Sequence, residues 1–155
     1  MKISHLTNNI SCELEMQEKM CQWLSGIEEV SCWKDEMFIK GIGRRADFLI
    51  LKENLLINIE AKSTVNETLI RQLDDHATYC DYCFAFIPNF SLTPKWFKKD
   101  LVKKGYGLII YDYRQKTISE ALEAHHNKPS EKNIRSYIIG KIKEECLPGQ
   151  LDLDM

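Results

Sequence analysis

Two apolar runs constrain this chain more than any other feature. Arg44-Arg45-Ala46-Asp47-Phe48-Leu49-Ile50-Leu51 and Leu55-Leu56-Ile57-Asn58-Ile59-Glu60-Ala61-Lys62 are split only by Lys52-Glu53-Asn54. Runs rich in Leu and Ile around a short polar turn predict a β-hairpin. Strands of this kind must be buried, yet Asp47, Glu60 and Lys62 fall at their shared end. Buried charge is costly unless it is paired or holds a metal. Glu60 and Lys62 are two apart, so on a strand they face the same side. Asp47 opens the preceding strand and comes near them across the hairpin. The expectation is that the three side chains converge at a sheet rim open to solvent.

The rest of the chain surrounds the hairpin with alternating helices and strands. A first helix is predicted from Asn8 or Ser11 to about Ser25, with Met16, Met20, Trp23, Leu24 and Ile27 at helical spacing and Gly26 closing it. Residues 36–40 read as a first strand and 41–43 as a turn. Residues 64–79 read as a second helix, capped by Ser63 or Thr64 with Glu67 completing a capping box. Residues 83–88 form an apolar run with no polar face, as in a strand covered on both sides. Pro94 opens a third helix that ends at Gly105, and 107–112 is another buried strand. Residues 130–146 form a last helix, and 147–155 are expected to fray. The order α-β-β-β-α-β-α-β-α predicts one α/β domain over residues 1–155. Its centre is a mixed sheet of about five strands with helices on both faces.

Composition narrows the function classes. The chain has 155 residues, 44% hydrophobic and 28% charged, which is ordinary for a globular domain with a real core. No apolar run approaches the roughly 20 residues needed to span a bilayer, so no membrane association is expected. The N-terminus lacks the apolar centre of a signal peptide. The six cysteines are scattered and read as reduced thiols in a cytoplasmic protein. Cys80-Asp81-Tyr82-Cys83 has no second pair at the spacing that structural zinc needs. A net charge of −2 argues against a general DNA coat but leaves room for a local basic patch. Arg44 and Arg45 are one such patch or a surface turn pair. Lys95, Lys98, Lys99, Lys103 and Lys104 are a second patch or the solvated face of a helix. His5, His125 and His126 read as surface residues.

Two carboxylates beside an ammonium suit a hard cation and a phosphodiester. Mg²⁺ binds through one or two carboxylates, water and substrate phosphate. Asp47 and Glu60 supply the carboxylates, and the backbone carbonyl of Ala61 adds a third protein oxygen. Lys62 is placed to orient a water and to offset charge on the phosphate. The spacing alone is also that of a salt bridge at a sheet edge, Lys62 pairing with Asp47 or Glu60.

Asp47…Glu60-Ala61-Lys62 within this element order resembles the PD-(D/E)xK nuclease superfamily, the restriction-endonuclease-like fold. The likeness covers about residues 11–112, and the segment from Tyr79 onward is similar to the small stand-alone branch related to the DNA-repair protein MmcB. The resemblance implies a three-layer fold and a nuclease dependent on Mg²⁺ or Mn²⁺ that acts on DNA in repair, recombination or phage and mobile-element processing. It implies that Asp47 and Glu60 are metal ligands and Lys62 the catalytic lysine. A glutamate on the first helix often joins such sites; Glu13 fits best and Glu15 is the alternative. A Gln-x-x-x-Tyr pattern on the second helix points to Gln72, but His76 stands where the tyrosine would be. Arg44 and Arg45 would hold the phosphate backbone. With no base-reading helix or ribbon evident, shape rather than sequence recognition is expected. A homodimer would be needed to cut both strands. The other expectation is a catalytically silent nuclease-like module that binds nucleic acid or protein.

Overall fold

A computed structural model describes the backbone of residues 3–27, 32–91 and 93–154 and the side chains of 12–27, 32–91 and 93–145. His5 and Cys146 fall outside the described side chains. Among the described residues ten elements follow one another: α1 Ile3–Ser25, β1 Cys32–Ile39, β2 Arg44–Lys52, β3 Leu55–Ala61, α2 Glu67–Ala77, β4 Tyr82–Pro88, α3 Lys95–Lys104, β5 Gly107–Asp112, β6 Thr117–Leu122 and α4 Lys132–Asp154. The six strands form one mixed sheet in the order β1-β2-β3-β4-β5-β6. The β1–β2, β2–β3 and β5–β6 pairs are antiparallel, while β3–β4 and β4–β5 are parallel.

Burial sorts the helices into layers. Parallel strands need crossovers of one hand, and successive β3-α2-β4 and β4-α3-β5 units advance in the same direction. Both crossover helices therefore belong on one face. Leu69 and Leu73 of α2, Phe97 and Leu101 of α3, and Ile138 and Ile142 of α4 share one core with Leu49, Leu51, Leu56, Ala85 and Leu108. The other face carries α1, whose Cys12, Met16, Met20 and Leu24 repeat every four residues and pack on Phe48, Ile50, Ile59 and Phe86. The result is a three-layer α/β arrangement.

Several boundaries differ from the sequence reading. The sheet has six strands rather than about five, because Thr117–Leu122 pairs with β5 as an edge. α1 begins at Ile3, so Asn8 and Ser11 lie inside the helix instead of capping it. β1 starts at Cys32, not 36. α2 begins at Glu67, capped by the Asn66 side chain, which accepts the Leu69 N–H. The proposed cap Ser63 is engaged elsewhere: its hydroxyl donates to Glu13. Pro94 is the residue before α3 rather than its first turn. The segment expected to fray continues α4 to Asp154; Pro148 and Gly149 weaken a helix without forbidding one.

Candidate functional site

The hairpin ladder stops one residue short of the site. Regular β2–β3 pairing runs from Lys52↔Leu55 to Phe48↔Ile59. The next position holds Asp47 and Glu60, and carboxylates replace carbonyls as acceptors there. The Asp47 N–H donates to Glu60 Oε2 at 3.0 Å, and the Ala61 N–H donates to Asp47 Oδ2 at 2.9 Å. The strand ends are thus joined through two acidic side chains, and the two acids are fixed by backbone donors.

An open cleft of about 230 Å³ lies at this strand end, lined in part by Glu13, Arg45, Asp47, Ala61 and Lys62. Lys62 follows the last residue of β3, and its N–H donates to the Phe86 carbonyl at 3.0 Å. Glu13 comes in from α1, with Oε1 accepting both the N–H and the hydroxyl of Ser63 at 3.2 and 2.8 Å. The sequence-derived residues Asp47, Ala61, Lys62, Glu13 and Arg45 are therefore brought to one place.

Glu60 departs from the expectation of a rim open to solvent: it is only 1% exposed. Asn58 and Glu60 alternate onto the face that α2 covers, whereas Ile57, Ile59 and Ala61 face α1. β3 ends at Ala61, so strand alternation does not extend to Lys62, which lines the cleft while Glu60 lies behind it. Gln72 and Arg44 do not line the cleft either. Gln72 Oε1 is buried with no hydrogen-bond partner among the described residues. Arg44 turns to α2 and pairs with Asp75 at 2.7 Å. Glu15 is occupied by the Tyr111 hydroxyl and by Lys116, and that ammonium holds its carboxyl below the usual range.

Burial makes both acids hold protons tightly. Burial, then the charge of Glu60, pushes Asp47 up to about 7, against the pull of the Ala61 N–H and Lys62. Burial likewise raises Glu60, opposed by Asp47, Asn58 and Lys62. Lys62 is thus near enough to act on both carboxyls.

One residue at this site was not assigned a role from the sequence. His76 is completely buried, with Nε2 2.5 Å from Glu60 Oε1 and Nδ1 2.5 Å from the Tyr79 hydroxyl. Burial lowers its pKa to about 4. A sequence signal existed: His76 continues the buried stripe of Leu69, Ile70 and Leu73 on α2. A histidine on such a stripe requires a polar partner.

Cys12, Cys21, Cys80 and Cys83 are free thiols, and the Cys32 thiol donates to the Ile142 carbonyl at 3.8 Å. His126 sits 3.4 Å from Asp81. Among the described residues no group of three or more His, Cys, Asp or Glu side chains is arranged to hold a metal ion, and no helix is long and apolar enough to cross a membrane.

No family model and no curated protein matches the chain. Among solved structures it is similar to the SPO1766 protein of unknown function from Silicibacter pomeroyi, with a TM-score of 0.52 and 18% identity over 79% of this chain and 78% of that one. At that identity the likeness shows a shared fold.

Proposed function

We propose that the chain is a metal-dependent nuclease of the PD-(D/E)xK, restriction-endonuclease-like kind, which hydrolyses DNA phosphodiester bonds and is directed by DNA structure rather than sequence. The observation that carries this reading is the meeting of Asp47, Ala61, Lys62 and Glu13 in one open cleft, with the Glu60 carboxylate bonded directly behind Asp47.

The donor set suits Mg²⁺ or Mn²⁺. Two desolvated carboxyls in contact, both with raised pKa values, are only partly offset by Lys62, and oxygen donors are what a hard dication takes. Asp47, Glu60 and the Ala61 carbonyl would hold it, with Glu13 at the cleft wall beside them. When bound, such a cation supplies polarisation of the phosphate and a more acidic water. The chain's own groups do the remainder. Lys62 orients the attacking water and offsets the charge that grows on the phosphate. Arg45 neutralises a neighbouring backbone phosphate. Ser63 keeps Glu13 aimed into the cleft. Two copies would be required for a double-strand cut.

A second reading, a catalytically silent module that binds DNA or protein, is favoured by the sealing of Glu60, one oxygen against His76 and the other held by the Asp47 N–H. One experiment separates the two. Supercoiled plasmid and branched DNA are incubated with the protein and Mg²⁺ or Mn²⁺. Nicking by wild type, reduced by at least about 100-fold in Lys62→Ala, is the expected result. Retention of branched DNA without cleavage in either ion, unchanged in Asp47→Asn, would establish the silent module instead.

A further inference from the structure

Behind Glu60 lies a buried polar line that no packing requirement explains. His76, near the end of α2, and Tyr79, just past it, are both 0% exposed. Glu60, His76 and Tyr79 form a continuous series with both contacts at 2.5 Å. Burying an imidazole and a phenol costs free energy that Leu and Phe in the same volume would avoid. A buried polar group persists where its partner needs it.

Oxygen and nitrogen lone pairs at 2.5 Å repel unless a proton lies between them. In the tautomer with the ring proton on Nε2, the Tyr79 hydroxyl donates to Nδ1 and the ring N–H faces Glu60. Nε2 and Oε1 lie 2.5 Å apart, a close polar contact outside regular hydrogen-bond geometry, and neither atom has a hydrogen-bond partner among the described residues. The Arg45 carbonyl is the other acceptor beside the ring. Glu60 is thereby held from both sides: Oε1 against His76, and Oε2 by the Asp47 N–H.

We propose that His76, oriented by Tyr79, is a positioning residue for Glu60, pinning one carboxylate oxygen so that the other stays directed at Asp47, where a divalent cation binds. The inference rests on the metal-site reading of the cleft. It concerns how tightly the cation is held, and it does not require His76 to touch substrate.

Mn²⁺ is titrated into the full chain and followed by calorimetry and by the electron paramagnetic resonance signal of the free ion, with metal-free melting curves recorded beside each titration. Removing a group that orients a ligand costs roughly 10–100-fold in metal affinity, which is expected for His76→Ala. Tyr79→Phe, which deletes one oxygen, is expected to weaken binding by about threefold or more, and His76→Gln, whose amide N–H reaches toward Glu60, to stay within about threefold of wild type. A purely structural role would lower the melting temperature and leave the Mn²⁺ affinity of the folded protein intact. That pattern in His76→Ala and Tyr79→Phe overturns the positioning role and leaves the metal site standing. If His76→Ala does not fold, Tyr79→Phe decides the matter alone by the same criterion. Wild type that binds no Mn²⁺ overturns both the site and its positioning residue.

Discussion

At the scale of single residues, the decisive quantity is the proton affinity of Asp47. It is raised from an ordinary 3.8 to about 7 by burial and by Glu60. A carboxyl that binds its proton more tightly when folded gives stability that is fully present below its unfolded pKa and is lost as pH rises through its folded one. For Asp47 that window runs from about 4 to about 7, and Glu60, shifted in the same direction, deepens the loss. His76 works oppositely. Its pKa falls from 6.5 to about 4, so its contribution is present above 6.5 and is lost as pH drops through 4. Asp47→Asn cannot ionise. Its stability relative to wild type should therefore climb between about pH 4 and about pH 7 in the absence of divalent ions. Urea unfolding at several pH values measures this difference. A difference that stays flat, or falls with rising pH, would mean that the two acids are not crowded in the native state.

At the scale of elements, legibility followed burial. β2, β3, β4 and β5 could be read because each is an apolar run bounded by turn residues, and α1 because Met16, Met20 and Leu24 repeat every four residues. β6 could not: its residues are mostly exposed, with Ile118 and Leu122 only half-buried, so neither alternation nor an apolar run marks it. It exists because β5 needs an antiparallel neighbour, a requirement of the sheet and not of the segment. The start of α2 was misplaced for a similar reason. Ser63 is spent on Glu13 across the cleft, a contact invisible in local sequence, so Asn66 takes the cap. Asp47, Glu60 and Lys62 stood out because charge at the end of apolar runs is conspicuous. The burial of Glu60 against His76 was not legible, because that pairing joins β3 to α2 through space. Gly107 shows how tightly the strand–strand approach is specified. A Cβ there would lie 2.4 Å from Phe84 Cδ1 and 3.0 Å from Ala124 Cβ. Gly107→Ala should therefore cost about 1–3 kcal/mol through overpacking, read as a lower urea midpoint with an unchanged slope. A neutral result would show that the Phe84 ring turns aside freely.

At the scale of the whole molecule, the two ends of the sheet do different work. The cleft lies at the end of β3. The opposite end is closed by Asp81, at the start of β4 and 3% exposed. Its Oδ2 accepts the Leu56 N–H at 2.8 Å and the Arg135 guanidinium at 2.8 and 3.2 Å. Arg135 also donates to the Asn54 carbonyl at 2.8 Å, and the Glu131 N–H donates to Thr78 at 2.8 Å. These bonds tie α4 to the hairpin turn and to the loop before β4, so α4 is fastened by charge as well as by Ile138 and Ile142. Arg135→Ala leaves a buried carboxylate without its cation while the Leu56 N–H remains, and Arg135 is itself partly in water. The expected cost is about 1–3 kcal/mol, with hydrogen exchange rising first in the opening turns of α4. Sites that share no partner contribute independently, so Arg135→Ala and Asp47→Asn combined should cost the sum of their separate effects to within about 0.5 kcal/mol. Coupling well beyond that would mean that the clamp and the cleft communicate through β3 and β4, and that the scaffold at one end sets the geometry of the acids at the other.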